Sequence, residues 1–317
     1  MIPAVRRAFP LLLLVGLPEL AAQGPTPSPA QAEANRLYQA REWPAAAKAY
    51  DALVKEAPGN PTWRYRLGVS LLGLGKPGDA LVALAPASQA QGPLGGLVFF
   101  GMARAQARLG EKDRAFEALK KASAGGFAQV SLLESEPDLL ALRADARFKE
   151  VIAEADRNAR PCVYRPESRA FDFWVGDWDV TTSAGPAGNS HVERILGDCV
   201  IFESWTGANG FSGKSFNFFD AARKRWQQTW VDNVGGLLEF HGEAREGSLY
   251  FAGEGVPAGQ TQPVKSRMTF VKVGSDEVRQ LMEQSSDGGQ TWTVGFDGAY
   301  KRAGTVKAPP DSAPTAP

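Results

Sequence analysis

The stretch FDFWVGDWDV, residues 171–180, divides the chain into two halves with different sequence periods. Before this stretch, the sequence is rich in Ala, Leu, Arg and Lys, and its apolar residues recur about every 3.6 residues, the period of an α-helix. From Phe171 onward, apolar and polar residues alternate with a period near two, and glycine interrupts the pattern roughly every ten residues. The sequence therefore predicts an α+β multidomain protein, with an α-helical half followed by an antiparallel β half.

The β half contains about ten candidate strands, at the spacing typical of all-β domains. Short turn sequences separate them, notably Asp287-Gly288-Gly289, where glycine supplies the positive φ angles of a tight hairpin. Short connections force neighbouring strands to pair antiparallel, and a meander of this length closes into a barrel without free edges. We therefore predict a closed antiparallel β-barrel of about ten strands.

Two features of this half resemble known families. Gly176-x-Trp178 in the first strand resembles the first-strand signature of lipocalins and fatty-acid-binding proteins, where the tryptophan plugs the closed end of the barrel. An ordered series of motifs also resembles an uncharacterised bacterial family with a lipocalin-like fold. The motifs are ESW at 203–205, GKS at 213–215, WQQTWVD at 226–232 and SSDGGQTW at 285–292. The resemblance implies a lipocalin-like (calycin-type) barrel, with Gly176 and Trp178 as structural residues, and no established activity.

Strand alternation selects candidate residues for the barrel interior, because alternate side chains share a face. Aromatic rings supply contact area for a ligand, and a few acids or amides orient it, so such a face suits a small, partly apolar molecule. The predicted ligand-binding residues are Glu203, Trp205, Trp226, Gln228, Trp230 and, as a charge partner, Arg279. The alternative is a barrel filled by its own side chains, with Trp174 and Trp178 in the core.

The helical half contains an internal repeat. Ala46, Ala80 and Ala115 recur at spacings of 34 and 35 residues, and Gly75 and Gly110 recur 35 residues apart where one helix is expected to end. This period resembles that of tetratricopeptide repeats, and the stretch from Leu67-Gly68 to Leu84 resembles the family pattern most closely. The sequence therefore predicts a tetratricopeptide-type helical array.

Gly68 and Ala80 are the predicted structural residues of this array, since a larger side chain would push the crossing helices apart. The segment from Pro137 to Ala155 has amphipathic spacing and is expected to form capping helices. Such an array is expected to offer a concave surface to a protein or peptide partner. A spacer or structural support is the alternative, and the sequence leaves both open.

The changes in composition predict the domain boundaries. They are a signal peptide at 1–23, a Pro-rich tether at 24–31, helical repeats with capping helices at 32–159, a linker at 160–170, the lipocalin-like barrel at 171–303 and a disordered tail at 304–317. Arg6 and Arg7, the apolar stretch 8–17 and the small residues at 21–22 are typical of a cleaved secretory signal. The expected location is therefore periplasmic or secreted, with no membrane span after cleavage.

The charge and the cysteines restrict the partners further. With 35 basic and 35 acidic side chains, the chain has no overall field that would attract nucleic acid or an anionic membrane. Cys162 and Cys199 are disulfide candidates in an oxidising compartment, and two separately buried thiols are the alternative. Their spacing with His191 and His241 matches no compact zinc pattern, so no metal and no cofactor are predicted.

The sequence contains few groups suited to catalysis, and we assign no catalytic residue. Neither histidine lies in a hydrolase motif, Ser204 and Ser215 have no motif around them, and a Glu203–Glu283 carboxyl pair would depend on strand pairing. The expected function is an exported, non-enzymatic binding protein, whose barrel holds a small ligand while the repeats dock a protein partner. The alternatives are a pure interaction scaffold with a filled barrel, and a hydrolase or isomerase in the barrel mouth.

Overall fold

A computed structural model describes residues 27–256 and 262–304 of the chain. The predicted signal peptide at 1–23, the first part of the predicted tether and the predicted tail after Gly304 lie outside the described residues. The chain divides into two compact units. The first ends at Gly125 and also includes Pro137–Ala144, and the second consists of Gly126–Glu136 and the residues from Asp145 onward.

The described part of the first unit contains six α-helices, each packed against its neighbour in sequence. They are α1 Pro29–Gln39, α2 Trp43–Glu56, α3 Pro61–Gly73, α4 Pro77–Leu84, α5 Gly92–Arg108 and α6 Lys112–Ala124. The first five helices carry proline at one of their first two positions. Proline suits these positions because its fixed φ is already helical and no intrahelical bond needs its missing N–H.

Gly68 on α3 lies where α3 and α4 cross closely. A Cβ added there would lie 2.5 Å from Leu84 Cγ, which is closer than carbon atoms approach. Leu84 and Ala80 on α4 are both fully buried. The close crossing therefore depends on a residue without a side chain at position 68, as expected of paired helices in a repeat.

The first helix of each repeat ends on a residue with positive φ. Gly75 and Gly110 have φ of 72° and 80° and terminate α3 and α5. The equivalent position in the first repeat, 34 residues before Gly75, is Arg41, which has φ of 57°. A residue with a Cβ is strained in this left-handed region, and glycine is not.

The second unit contains a ten-stranded closed barrel. Its strands are β1 Gly176–Thr182, β2 Gly185–Ile195, β3 Val200–Gly207, β4 Ser212–Asp220, β5 Arg225–Asp232, β6 Leu237–Arg245, β7 Ser248–Gly255, β8 Val264–Lys272, β9 Glu277–Ser285 and β10 Thr293–Arg302. Each strand pairs antiparallel with the next, and β1 pairs with β10 to close the barrel, with Val180 opposite Tyr300. The predicted fold class, a helical repeat array followed by an antiparallel barrel of ten strands, is confirmed.

The described part of the second unit also contains four α-helices. They are α7 Val130–Ser135, α8 Ala146–Ala159, α9 Pro161–Tyr164 and α10 Pro166–Arg169. The last two occupy the predicted linker, whereas α7 and α8 lie in the region assigned from the sequence to the repeats and their caps. The domain boundaries at 159 and 170 stay predictions.

A disulfide joins Cys162 in α9 to Cys199 just before β3, across 37 residues of sequence.

Replacing Arg41 by glycine is expected to raise the free energy of unfolding of the repeat unit by roughly 0.5–1 kcal/mol, because the steric cost of the left-handed conformation disappears. Urea denaturation of the full chain, followed by helical circular dichroism, measures the change. Arg41→Ala is the control, since it removes the long side chain and keeps the Cβ. Equal stabilisation by both variants would contradict this explanation.

We expect the protein purified without reductant to gain no mass on thiol alkylation. After reduction and unfolding it should gain two alkyl groups, one on each of the two cysteines. Intact mass spectrometry distinguishes these states. Uptake of two groups by the unfolded, unreduced chain would show that the Cys162–Cys199 bond does not form.

Candidate functional site

One half of the barrel encloses a cavity of about 510 Å³. The turns between β3 and β4 and between β5 and β6 contribute Asn209, Val234 and Gly236 to its lining, which places its opening at this end. The larger apolar residues of its wall are Trp205, Phe211, Trp230, Leu238, Phe240, Met268, Met282, Phe296 and Tyr300. Its acids and amides are Glu203, Asn209, Gln228, Asp232 and Gln280.

Stacked aromatic rings fill the opposite end of the barrel. Phe171 stacks on Trp174 with ring centroids 4.8 Å apart, and Trp174 lies 4.6 Å from Phe270. All three residues are fully buried. Phe171 and Trp174 belong to the short turn that enters β1, so the chain crosses the end of the barrel just before it joins the sheet.

Trp178, on β1, also closes this end. Its indole Nε1 donates a 2.8 Å hydrogen bond to the carbonyl of Trp174, and the Arg302 guanidinium lies 4.2 Å above its ring. Gly176, with φ of 143°, leaves the space that Arg302 occupies, because an added Cβ would overlap the guanidinium. Arg302 also donates a 2.8 Å hydrogen bond to the Val175 carbonyl, so these residues join the first and last strands.

The floor of the cavity carries a buried carboxyl group, that of Glu203 on β3, which is 5% exposed. Its two oxygens accept hydrogen bonds from Ser190 Oγ at 2.8 Å and Ser215 Oγ at 2.9 Å. Ser215 in turn accepts from Asn217 Nδ2 at 2.8 Å, and Asn217 Oδ1 accepts from Gln228 Nε2 at 2.6 Å. A series of hydrogen bonds therefore runs across β3, β4 and β5 from Glu203 to Gln228, which also lines the cavity.

Burial raises the pKa of Glu203 from its ordinary value of 4.5 to about 7, while the hydrogen bonds from Ser190 and Ser215 oppose that rise. The rise comes from desolvation of the carboxylate, and no cationic side chain lines the described cavity to oppose it. Glu203 therefore changes charge near neutral pH, where its neighbour Tyr300 stays protonated because burial raises its pKa well above 10.

The other strands contribute a second polar group to the cavity. Tyr300 donates its hydroxyl proton to Gln280 Oε1, and Gln280 Nε2 lies 2.8 Å from the sulfur of Met268. All three residues line the cavity. Polar contacts therefore occur on both sides of an otherwise apolar space.

The structure brings four of the six predicted ligand-binding residues together. Glu203, Trp205, Gln228 and Trp230 line the cavity, and Trp230 Nε1 donates a 3.2 Å hydrogen bond to Asp232 Oδ2 near its mouth. Side chains fill the end that contains Trp174 and Trp178, as the alternative predicts, whereas the half lined by Glu203 and Trp205 holds the cavity.

Two predicted ligand-binding residues lie elsewhere. Trp226 is 2% exposed at the filled end, where its ring lies 5.8 Å from that of Phe171, and it does not reach the cavity. Arg279 lies on the outer face and pairs with Asp297 at 2.7 Å. It points outward because its neighbours in β9, Val278 and Gln280, point inward.

Sequence reasoning missed several residues of the wall, on β8, β9 and β10. They are Met268, Gln280, Met282, Phe296 and Tyr300. The alternation of β9 contained a usable signal, since Val278, Gln280 and Met282 share one face while Arg279 and Glu283 share the other. The β10 residues gave a weaker signal, because an irregularity between Val294 and Phe296 shifts the register there.

The remaining catalytic candidates point away from the cavity. His191 and His241 are exposed, and Ser204 accepts a 2.6 Å hydrogen bond from Lys214 on the outer face. Glu283 pairs with Arg267 at 2.7 Å on that face, so strand pairing does not join it to Glu203. Among the described residues, no three His, Cys, Asp or Glu side chains come together at a metal-binding distance.

The first unit presents a separate polar cluster across α1, α2 and α3. Tyr50 donates a 2.6 Å hydrogen bond to Asn35 Oδ1, and Arg66 donates to both Asn35 and Tyr50. The Arg66 guanidinium also lies 5.7 Å from the centre of the Tyr38 ring. In the described part of the chain, Arg66 has no carboxylate partner, so its charge is held in place without being neutralised.

Comparisons with known proteins identify the first unit. A family model described as "Tetratricopeptide repeat" matches residues 32–96 and 65–128, and the first unit is a tetratricopeptide repeat array. A search of curated proteins found no match. Within the described residues, none of the helices has the length and apolar composition needed to cross a membrane.

Two solved structures are similar to part of the chain. PcrH in complex with the chaperone binding region of PopD is 26% identical, and the match covers 40% of this chain and 91% of that one, with a TM-score of 0.30. The complex of the TPR2B domain of yeast Sti1 with pHsp70 is 21% identical, and the match covers 40% of this chain and 94% of that one, with a TM-score of 0.30.

The burial of Glu203 predicts how stability depends on pH. Its folded pKa, about 7, lies above its ordinary value of 4.5, so ionisation costs the folded state as the pH rises between these values. Glu203→Gln removes this titration. The stability of the variant minus that of the wild type, each measured as a free energy of unfolding, is expected to increase by roughly 3 kcal/mol between pH 4.5 and pH 8.

Urea denaturation at the two pH values measures this difference. Glu283→Gln is the control with the opposite sign, because the hydrogen bond from Arg267 lowers the pKa of Glu283 and favours its charged form. That variant should lose stability relative to wild type at the higher pH. A relative stability of Glu203→Gln that does not change with pH would mean that Glu203 ionises normally.

Proposed function

We propose that this chain is an exported, non-enzymatic binding protein, whose barrel cavity holds a small, partly apolar ligand and whose repeats dock a protein partner. The observation that carries the proposal is the cavity of about 510 Å³, which lies in the volume range of small-molecule sites. Its wall combines aromatic rings with a few polar groups, the composition that binds and orients such a ligand.

The proposal includes a lipocalin-like assignment for the barrel. The Gly176-x-Trp178 motif supports it, since Trp178 is buried at the filled end and Gly176 makes room for Arg302. The cavity begins above this filled end, an arrangement suited to a ligand that enters from the opposite end. The assignment rests on these features and on the motif series of the β half.

Docking of a protein partner by the repeats is supported by the family match and by Arg66. Tetratricopeptide arrays present extended surfaces to partners. A fixed arginine without a carboxylate partner in the described chain favours a partner segment that carries an acidic group. Export is supported by the signal-like sequence at 1–23 and by the Cys162–Cys199 disulfide.

A tryptophan placed in the cavity should block the ligand site. Leu238 lines the cavity, whereas the adjacent Leu237 points outward and is 52% exposed. We expect the full-length wild type to bind Nile red, an uncharged apolar dye, with increased dye fluorescence. Leu238→Trp should lower its affinity at least tenfold, because the indole occupies the space that the dye needs.

Leu237→Trp is the matched control, since it adds the same side chain to the same strand on the outer face. It should bind the dye like the wild type. Equal binding by the wild type and both variants would place the dye outside the cavity. No binding by the wild type would favour the alternative of a pure interaction scaffold.

A further inference from the structure

The charges that line the cavity all have one sign. Glu203 and Asp232 supply carboxyl groups, and no Lys, Arg or His belongs to the described lining. Three cations on the strands around it face outward and have partners there. Lys214 donates to Ser204, Arg267 pairs with Glu283, and Arg279 pairs with Asp297.

Of the two carboxyl groups of the cavity, that of Glu203 is the buried one, and no counter-ion lies beside it in the described chain. Its hydrogen-bond donors are the hydroxyl groups of Ser190 and Ser215, which are neutral. A buried carboxylate is normally paired with a cation, because desolvation without compensation is unfavourable. Here the space beside the carboxyl group is the cavity, so a bound molecule is what would supply the missing charge.

The aromatic rings of the cavity also lack cations. The ring of Trp205 lies 6.1 Å from that of Phe296 and 6.4 Å from that of Tyr300, so three rings pack together on the wall of the cavity that Glu203 also lines. On the outer face, by contrast, Lys214 lies over Phe202 and Arg267 lies over Trp292. In the described part of the chain no Lys or Arg covers a ring of the cavity, and the electron-rich faces of these rings attract cations.

A negatively charged ligand fits this arrangement poorly. The carboxylate of a fatty acid would lie against the carboxyl groups of the cavity and would find no cationic side chain in the described lining. A neutral alcohol would gain apolar contact without any charge pairing. A cation would gain both the carboxylate of Glu203 and the ring faces, while its apolar chain would lie against Leu238, Met282 and Phe296.

We propose that the barrel binds a cationic amphiphile, an amine or alkylammonium group on an apolar chain, with the cation held by Glu203 and the surrounding aromatic rings. This inference rests on the proposed ligand-binding function. It names the chemical class of the ligand and makes Glu203 the residue that determines specificity. The pKa of Glu203, about 7, means that the carboxylate is available to a cation at neutral pH.

The test compares three probes with the same ten-carbon chain: decylammonium, 1-decanol and decanoate. Isothermal titration calorimetry with the full chain at pH 8 measures their affinities below the concentrations at which they form micelles. We expect decylammonium to bind at least tenfold more tightly than 1-decanol, and decanoate to bind more weakly than either. Equal affinities for the amine and the alcohol, or tighter binding of decanoate, would overturn the proposal.

The pH profile identifies the carboxyl group. Decylammonium stays charged throughout, so its affinity should rise about tenfold between pH 6 and pH 8 as Glu203 ionises with a pKa of about 7. Tyr300 and Asp232 are the other titratable residues of the described lining. Glu203→Gln should abolish the rise and the preference for the amine, whereas Glu283→Gln, which removes a carboxylate from the outer face, should retain both. A preference for the amine that persists in Glu203→Gln would overturn the proposal.

The experiment also separates this inference from the proposed function. If Nile red binds in the cavity and the amine has no advantage, the cationic class is wrong and the small-molecule function stands. If neither Nile red nor any ten-carbon probe binds the wild type, both fail.

Discussion

The stack of Phe171 on Trp174 is the interaction on which the rest of the barrel depends. These rings cross the end of the barrel before β1 begins, and they fill the interior together with Trp226 and Phe270. Full burial of each large apolar side chain contributes about 2–3 kcal/mol, so this end forms the hydrophobic core of the domain. Because the core occupies one end, the other end retains a cavity without loss of the closed sheet.

Burial of the Glu203 carboxyl group in the floor of the cavity destabilises the fold, and burial of the aromatic core offsets that loss. A carboxyl group at the position of Glu203 is desolvated and has only neutral hydrogen-bond donors, and its raised pKa expresses that cost. Perturbed pKa values cluster at functional sites, so a carboxyl group whose pKa is shifted by desolvation in a cavity is a candidate for one. The outer face shows the opposite pattern, since Glu283 and Asp297 each pair with arginine there and have lowered pKa values. Glu203, which has no cationic partner, therefore lies inside the barrel, whereas these two paired carboxylates lie outside.

Local sequence signals predicted the architecture well. The glycines of Asp287-Gly288-Gly289 adopt the positive φ angles expected of them, and Gly75 and Gly110 end their helices as the repeat requires. These features depend on a few neighbouring residues. Alternation also placed Glu203, Trp205, Gln228 and Trp230 correctly on inward faces, because it depends only on the geometry of a single strand.

The position of a residue along the barrel axis depends on distant contacts, and here sequence reasoning failed. Trp226 and Trp230 share a face, yet Trp226 lies against Phe171 at the filled end and Trp230 borders the cavity. Nothing in β5 itself indicates that the turn before β1 occupies one end. The sequence prediction places Arg279 in the interior as a charge partner, although strand alternation puts it on the face opposite to Val278 and Met282. The structure pairs Arg279 with Asp297 on the outer face.

The central claim is that the half of the barrel above the aromatic core is hollow. A crystal of the full chain pressurised with xenon tests this claim directly, because xenon occupies apolar cavities and scatters strongly. The account predicts xenon density inside the barrel, in the cavity lined by Trp230, Leu238 and Met282. A barrel without xenon, in which side chains fill the space between Trp230, Leu238 and Met282, would contradict it.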